Sequence, residues 1–466
     1  MHRFALFVLV AAVPLMGRKP PLPKPNVSAP QTFEHRPAGA EEVRAPEWWK
    51  SFGDPLLDEL MERAGRTNLD VRKAGARLAA ARALRGGAKA ALLPSIDGAG
   101  SAVQLRGGFN QGVVRVPAQG GSFVTPFESG LVSAGFNMRW EADVFDGLRK
   151  SVRAADADER AASEDVRDVQ VVVRAEVARS YIEMKAAEEQ IELVRKTAAS
   201  EKETLDLIRT RADAGLASHL DVDRQSVQLA STRALLPELD AQRLRSAHRI
   251  AVLLGQYPAA LLERLASAPE TRLTAPPVPV AIPSDVLRRR PDIRRADATI
   301  AAAYARAGAA RADLYPKFVI TGLSGRQSTD FSGLTVGAGN FFSVGPGISL
   351  PIFNRGKIRS NIAVQDAALE IAVRDYEQDV LAAFEEAENA FVMRDRAEQR
   401  QRELAAGLEA ARASVAMAQE LYISGLADFL TVLDGQREQL YIERAFADSR
   451  ASVLLATVML HKALGE

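Results

Sequence analysis

The chain carries one pattern written twice. Gly86-x-Ala88-x-Ala90-x-Leu92-Leu93-Pro94 returns as Gly308-x-Ala310-x-Ala312-x-Leu314-Tyr315-Pro316, an offset of 222 residues. Gly215-Leu216-Ala217 returns as Gly425-Leu426-Ala427, and Leu254-Gly255 as Leu464-Gly465, both at an offset of 210. Solenoids and propellers repeat every 20–50 residues or so, so this is neither. It is a doubled domain, and whatever architecture one half adopts the other must adopt as well.

Each copy contains a helical run of unusual length. From Leu148 to Ala214, 67 residues, there is no Gly and no Pro. As one helix this run would be roughly 100 Å long. Its counterpart, Lys357 to Ser424, contains only Gly407. Val166, Val169, Val173, Val177, Tyr181, Met184, Ala187, Ile191 and Val194 advance with a mean step of 3.5 residues. Ile358, Ile362, Leu369, Tyr376, Val380, Ala383, Ala387 and Phe391 follow a similar rhythm. That is the period of a left-handed coiled-coil seam. The competing reading is an amphipathic helix on a compact core, but few compact domains accommodate two helices of about 100 Å. Each run ends at a glycine, Gly215 or Gly425, and glycine just past a helix end supplies the left-handed cap. A second helix follows each, 216–254, broken at Pro237, and 426–464. Each copy therefore predicts a helical hairpin with its tip at Gly215 or Gly425.

Ahead of each long helix the texture changes. Segments 95–105, 131–145, 317–327 and 340–353 are rich in Gly, Ser, Phe and Val. Phe136, Met138 and Trp140 alternate with Gly135, Asn137, Arg139 and Glu141, and Val344, Pro346, Ile348 and Leu350 alternate with Ser343, Gly345, Gly347 and Ser349. Period-two alternation over about ten residues marks strands with one apolar face, as in a transmembrane β-barrel, with Phe136, Met138 and Trp140 on the lipid side. A soluble sandwich is the alternative. Four strands cannot close a pore, because the smallest membrane barrels use about eight. An open sheet in lipid leaves backbone groups unpaired, at several kcal/mol each, so a membrane sheet requires several chains to pool strands.

Composition removes other function classes. Sixty basic and 59 acidic residues leave a net charge of +1, which does not make a nucleic-acid-binding face. There is no Cys, hence no thiolate nucleophile and no cysteine metal site. The five His residues are scattered. His219-x-Asp221-x-Asp223 is not a metal motif on a helix, because residues two apart do not share a face. No catalytic, cofactor-binding or metal site is expected, and the chain does not read as an enzyme. His2-Arg3, the apolar run Phe4–Val13 and Leu15-Met16-Gly17 read as a signal peptide over 1–17. Leu15-Met16-Gly17 also opens a lipoprotein signal, in which the next residue is the acylated Cys. Arg18 stands there, so the chain is either not acylated or altered at this position. Residues 18–46 form a Pro-rich tether, 47–267 the first repeat, 268–291 a Pro-rich linker and 292–466 the second repeat.

Several segments together resemble one family. They are Trp48-Trp49-x-x-Phe52-x-Asp54-Pro55-x-Leu57, Asn68-Leu69-Asp70, Leu92-Leu93-Pro94 and Trp140-Glu141-x-Asp143-Val144-Phe145-Asp146-Gly147. Arg288-Arg289-Arg290-Pro291-Asp292-Ile293-Arg294, Leu350-Pro351-Ile352-Phe353-Asn354 and Tyr422-x-x-Gly425 complete the set. In this order they resemble the TolC-like outer-membrane factors of tripartite efflux systems, especially the OprM/NodT-type lipoproteins. The resemblance implies a mainly α, mixed fold. Duplicated helical hairpins would form a trimeric periplasmic α-barrel, and four strands per chain would complete a shared twelve-stranded barrel in the outer membrane of a Gram-negative-type bacterium. The function implied is a passive duct for drugs or other small molecules. Its partners would be a periplasmic adaptor, an inner-membrane pump of the RND type and outer-membrane lipid. The alternatives are the outer-membrane duct of a type I protein secretion system, or a non-channel periplasmic coiled-coil adaptor. Adaptors carry one hairpin, whereas this chain carries two.

The resemblance also points to residues. Leu430 and Asp434 match the constriction of the periplasmic gate and share a helix face at i, i+4. A ring of such carboxylates favours cations, and an apolar constriction gates by dewetting. Asp221 and Tyr422 match a polar latch between neighbouring hairpins. Gly215, Leu216, Ala217, Gly425, Leu426 and Ala427 are the tips that would meet the adaptor. Thr431 stands where TolC has a second Asp, which implies a single acidic ring. Ala427 replaces a basic latch residue.

Overall fold

The computed structural model describes residues 25–27, 30, 32–35, 47–106, 128–267, 273–277, 288–330, 334 and 339–466. The expected signal peptide, Arg18, most of the 18–46 tether and most of the 268–291 linker lie outside these residues.

The elements run in chain order as α1 (Pro55–Thr67), α2 (Leu69–Ala90), β1 (Ser95–Arg106), β2 (Glu128–Ala142), α3 (Gly147–Asp213), α4 (His219–Leu253) and α5 (Leu262–Ala266). The second half gives α6 (Pro291–Ala312), β3 (Lys317–Ser328), β4 (Gly339–Ser349), α7 (Lys357–Ile423) and α8 (Phe429–Ala463). Helices α3 and α7 are each unbroken over 67 residues, about 100 Å at 1.5 Å per residue. Among the described residues no helix is long and apolar enough to cross a membrane.

Helices α4 and α8 have 35 residues each and run back along only the distal half of α3 and α7. The proximal half is covered by α2 and α6, of 22 residues each. Short helices thus stack end to end beside each long one, and the sequence supplies the joints. At the end of α4, Asn68 Nδ2 donates to the Leu253 carbonyl and Thr67 Oγ1 to that of Leu254, both at 2.8 Å. At the end of α8, Arg290 Nη1 donates to the Ala463 carbonyl at 2.9 Å. The orphan carbonyls of a helix C-terminus are thereby satisfied by the first residues of the next segment. Gly255 and Gly465, at φ +71° and +80°, make room for the joint. A Cβ on Gly255 would sit 2.8 Å from the Thr67 carbonyl oxygen, and one on Gly465 2.9 Å from the Arg290 Cα. Arg290 also pairs with Asp292 at 2.6 Å and Glu386 at 2.8 Å. The Arg-Pro-Asp segment is thus a structural splice.

The proline in α4 does not break it. The helix continues through Pro237, where a proline costs about 3 kcal/mol locally. Leu235, Leu236 and Leu239 pack there on Ile191 and Val194 of α3, and that burial holds the helix together. Two strand ends also fall short of expectation. β2 stops at Ala142 rather than 145, because Asp143 accepts from the Leu148 and Arg149 amides at 3.0 and 2.8 Å and turns the chain into α3. β4 stops at Ser349, before Pro351, which has no N–H for a ladder. The helices likewise start at 219 and 429, because 216–218 and 426–428 form the tip turns.

The four strands form one antiparallel sheet of order β1-β2-β3-β4. The register sets Gly98 and Ser324 across from Phe136, Ile96 and Gly322 from Met138, and Ile320 from Trp140. Since side chains alternate along each strand, one face carries Ile96, Phe136, Met138, Trp140, Ile320, Phe342, Val344 and Ile348. That face also holds Arg326 and Asn340; the other is mixed and more polar, with Asp97, Ser133, Asn137, Arg139, Thr321, Gln327 and Ser343 beside Val103, Leu131, Val319, Leu323 and Phe341.

The main core lies midway along the hairpins. Trp48, Trp49, Phe52, Leu57, Leu60 and Met61 from the N-terminal segment pack against Val177, Tyr181, Met184 and Ile250. Asp54 caps α1 by accepting from the Leu56 and Leu57 amides and also accepts a 2.6 Å hydrogen bond from the Tyr181 hydroxyl. Burial, with that bond, pushes the Tyr181 phenol far up. A strap from the N-terminal tether runs along α7. The Asn26 amide donates to Glu377, the Glu34 and His35 amides to Glu388, and Phe33 packs on Phe384 and Phe391.

Candidate functional site

Two regions carry chemistry relevant to a conduit, the hairpin tips and the sheet. At the tips each long helix closes on a left-handed glycine. Gly215 has φ +74° and Gly425 φ +75°. The Leu216 amide bonds back to the Arg211 carbonyl at 2.8 Å and the Leu426 amide to the Leu421 carbonyl at 2.9 Å, the six-residue closure of a Schellman turn. Leu216 and Leu426 are thereby thrust outward, 71% and 78% exposed. Ala217 packs into the tip core with Ile208, Ala418, Phe429, Val432 and Leu433. Gly215, Leu216, Ala217, Gly425, Leu426 and Ala427 thus form two blunt apolar knobs.

The return helices are capped differently. Ser218 accepts from the Leu220 amide, whereas Asp428 accepts from both the Thr431 amide and the Thr431 hydroxyl, at 3.0 and 2.9 Å. These two bonds hold the Asp428 carboxyl below the usual carboxylate range. Thr431, which sequence comparison marks only as a missing acid, is therefore part of a cap.

Leu430 and Asp434 lie one turn apart on α8, the leucine 40% exposed and the Asp434 side chain 63% exposed. Neither is spent on the tip core. The nearest cation to Asp434 is Arg437, at 3.7 Å. Asp221 pairs with Arg224 of its own helix at 3.7 Å. Tyr422 is half-buried, edge-on to Phe429 at 5.5 Å, with the Arg211 guanidinium 5.0 Å from its ring centre. Burial pushes the Tyr422 phenol up, Arg211 pulls it back and Asp221 pushes it up again. Asp221 and Tyr422 therefore feel each other, but within one chain no hydrogen bond joins them. Arg211, Asp428 and Arg437 were missed from sequence. Asp428-x-x-Thr431 after Gly-Leu-Ala is a readable cap signal, whereas Arg211 meets Tyr422 only through tertiary packing.

In the sheet, Phe136 is 65% exposed in mid-strand. Met138 lies over Gly322, and Trp140 sits at the helix end of the sheet, where its Nε1 donates to the Leu92 carbonyl at 2.9 Å. On the polar face Gly135 and Gly325 stand directly opposite each other. A Cβ on either would lie 2.4 Å from the facing strand's carbonyl oxygen, so β2 and β3 approach too closely there for any side chain, as strands do where a sheet bends. Neither β1 nor β4 has a second strand neighbour among the described residues.

A doubled hairpin roughly 100 Å long joined to an open four-stranded sheet with one predominantly apolar face suits a membrane-anchored conduit subunit. The chain belongs to the outer membrane efflux protein family, which it matches over residues 60–256 and 282–466. It is 32% identical over 442 residues to the toluene efflux pump outer membrane protein TtgF of Pseudomonas putida, covering 92% of this chain and 87% of that one. To the pyoverdine export outer membrane protein OpmQ of Pseudomonas aeruginosa it is 31% identical over 469 residues, covering 98% and 96%. The solved structure of the outer-membrane channel OprN superposes with a TM-score of 0.87 at 33% identity, over 96% of this chain and 98% of that one. The chain is an outer-membrane efflux channel protein, and its family is one of transport proteins.

Proposed function

We propose that three copies assemble into a passive duct. Each gives four strands to a twelve-stranded barrel in the outer membrane and two hairpins to a periplasmic α-barrel. The open sheet carries this reading. Its predominantly apolar face suits lipid, its more polar face suits the lumen of the duct, and both of its edges await a partner. Edges left unpaired in lipid cost several kcal/mol per group, and pairing β1 of one copy with β4 of the next removes them all. Leu430 and Asp434 form the periplasmic constriction, the leucine ring excluding water and the carboxylate ring favouring cations. Asp221 and Tyr422, unbonded to each other within a chain, act as the latch between neighbouring hairpins. The apolar knobs at 215–217 and 425–427 are the contact for a periplasmic adaptor, which links the duct to a pump of the RND type. The cargo is small molecules, in line with relatives named for toluene efflux and pyoverdine export. Purified in detergent, the protein will be a trimer and will conduct ions in planar lipid bilayers. A non-conducting monomer refutes the duct.

A further inference from the structure

Near the tip, the packed hairpins hide a carboxylate without a cation. Glu201 of α3 is 1% exposed. Its Oε1 accepts from Gln228 Nε2 and from Thr232 Oγ1, both of α4 and both at 3.0 Å. Its backbone carbonyl accepts from the fully buried Gln225. Its Oε2 is buried and has no partner. Burying a carboxylate on neutral donors alone is costly, so its place in a coiled-coil seam needs a reason beyond packing.

The reason lies one residue further on. A carboxylate only accepts and a guanidinium only donates. Gln228 stands between one of each. Its amide nitrogen is committed to Glu201, so its carbonyl oxygen faces the other way, where it accepts from Arg437 Nε at 2.9 Å. Arg437 belongs to α8 and lies three residues from Asp434, with Nη1 at 3.7 Å from the Asp434 carboxylate. That separation is outside hydrogen-bond range. The first hairpin therefore grips the guanidinium by its Nε and keeps it short of a direct bond to the tip carboxylate.

We propose that Glu201 is a positioning residue for Asp434, acting through Gln228 and Arg437 to hold the guanidinium at 3.7 Å, short of a direct hydrogen bond to the tip carboxylate. The inference rests on the reading of Asp434 as a gate residue. Glu201 dictates which end of the Gln228 amide meets Arg437. With glutamine at 201 the demand disappears, because an amide both donates and accepts. Gln228 then keeps its oxygen toward Arg437 by that bond alone, the grip on the guanidinium loosens, and Arg437 reaches Asp434 more often. There it forms the shorter, charge-assisted pair that such groups favour.

Reversal potentials of the full-length channel in a KCl gradient across planar bilayers test this. Glu201→Gln will lower the potassium-over-chloride permeability ratio by less than about twofold, because the Arg437 charge only moves closer to an exposed carboxylate. Arg437→Ala will raise the ratio, and adding Glu201→Gln to it will change nothing more, because the intermediary is gone. Gln228→Leu removes the acceptor that holds Arg437 and will lower the ratio at least as far as Glu201→Gln, which keeps the test decisive should that variant not assemble. A ratio unchanged by Glu201→Gln while Asp434→Ala lowers it overturns the relay alone. An equal effect of Glu201→Gln with and without Arg437 also overturns it. A ratio unchanged by Asp434→Ala overturns the gate reading and the relay with it.

Discussion

Alanine at position 325 tests the bend of the sheet. A Cβ there falls 2.4 Å from the Ala134 carbonyl oxygen, 2.7 Å from the Gly135 Cα and 2.7 Å from the Phe341 ring. Ordinary contacts between such atoms lie near 3.5–4 Å, so β2 and β3 must part locally by about 1 Å. Two of the three obstacles are backbone and cannot rotate away. Overpacking of this kind costs about 1–3 kcal/mol, and more when backbone has to move. Gly345 of β4 is the control. It shares the polar face, but a Cβ there meets nothing within 4 Å. Alanine at 345 reduces the freedom of the unfolded chain and stabilises by about 0.4–1 kcal/mol. The two substitutions should therefore act in opposite directions and differ by about 1.4–4 kcal/mol. Denaturant midpoints of the protein refolded into lipid vesicles measure the difference, and single-channel conductance shows whether the barrel has widened. Equal midpoints for Gly325→Ala and Gly345→Ala would refute the argument that paired glycines set the curvature.

Further outcomes follow from other parts of the molecule. Asp54→Ala strips a cap from α1 and leaves the buried Tyr181 hydroxyl unpaired, at about 2–4 kcal/mol. Tyr181→Phe costs about half as much, because the cap survives; thermal unfolding ranks the two, and the reverse order would show that the cap is negligible. Asp434→Ala should reduce cation preference, and an unchanged reversal potential in a salt gradient would remove it from the gate. The strap on α7 is acid-sensitive. The Asn26 amide, then Arg374, hold the Glu377 carboxyl below its ordinary value. At Glu388 burial opposes, but the Glu34 amide and the amide and ring of His35 prevail, and its carboxyl is lowered too. Groups depressed in the folded state stabilise above the unfolded carboxylate range and lose that contribution as pH falls through their folded values. A spin label at position 26 should accordingly be immobile at pH 7 and gain mobility only once the pH falls below the ordinary carboxylate range; mobility independent of pH would show that these bonds do not hold the strap.

The long helices, the tip glycines, the strand pattern and the shared helix face of Leu430 and Asp434 were legible along the chain; the gate role of that pair is a proposal that rests on the family resemblance. Each legible feature is a local matter. Helix and strand periods, a left-handed cap and an i, i+4 pair are set by neighbours within a few residues, so sequence alone determines them. The need for several chains could be read as well, since four strands leave edges that lipid does not tolerate. Tertiary structure decided what depends on residues far apart. Pro237 reads as a break, but α3 packed against Leu235, Leu236 and Leu239 keeps the helix whole. Arg290 reads as one of three adjacent arginines, but the end of α8, 173 residues away, makes it a helix splice. Thr431 reads as a lost acid, but the fold of the turn makes it the partner of Asp428. Glu201 carries no signal at all in its own neighbourhood. Only the meeting of α3, α4 and α8 sets its carboxylate, the Gln228 amide and the Arg437 guanidinium in line with Asp434. Donor and acceptor matching across three helices is a property of the packed assembly, and no local period records it.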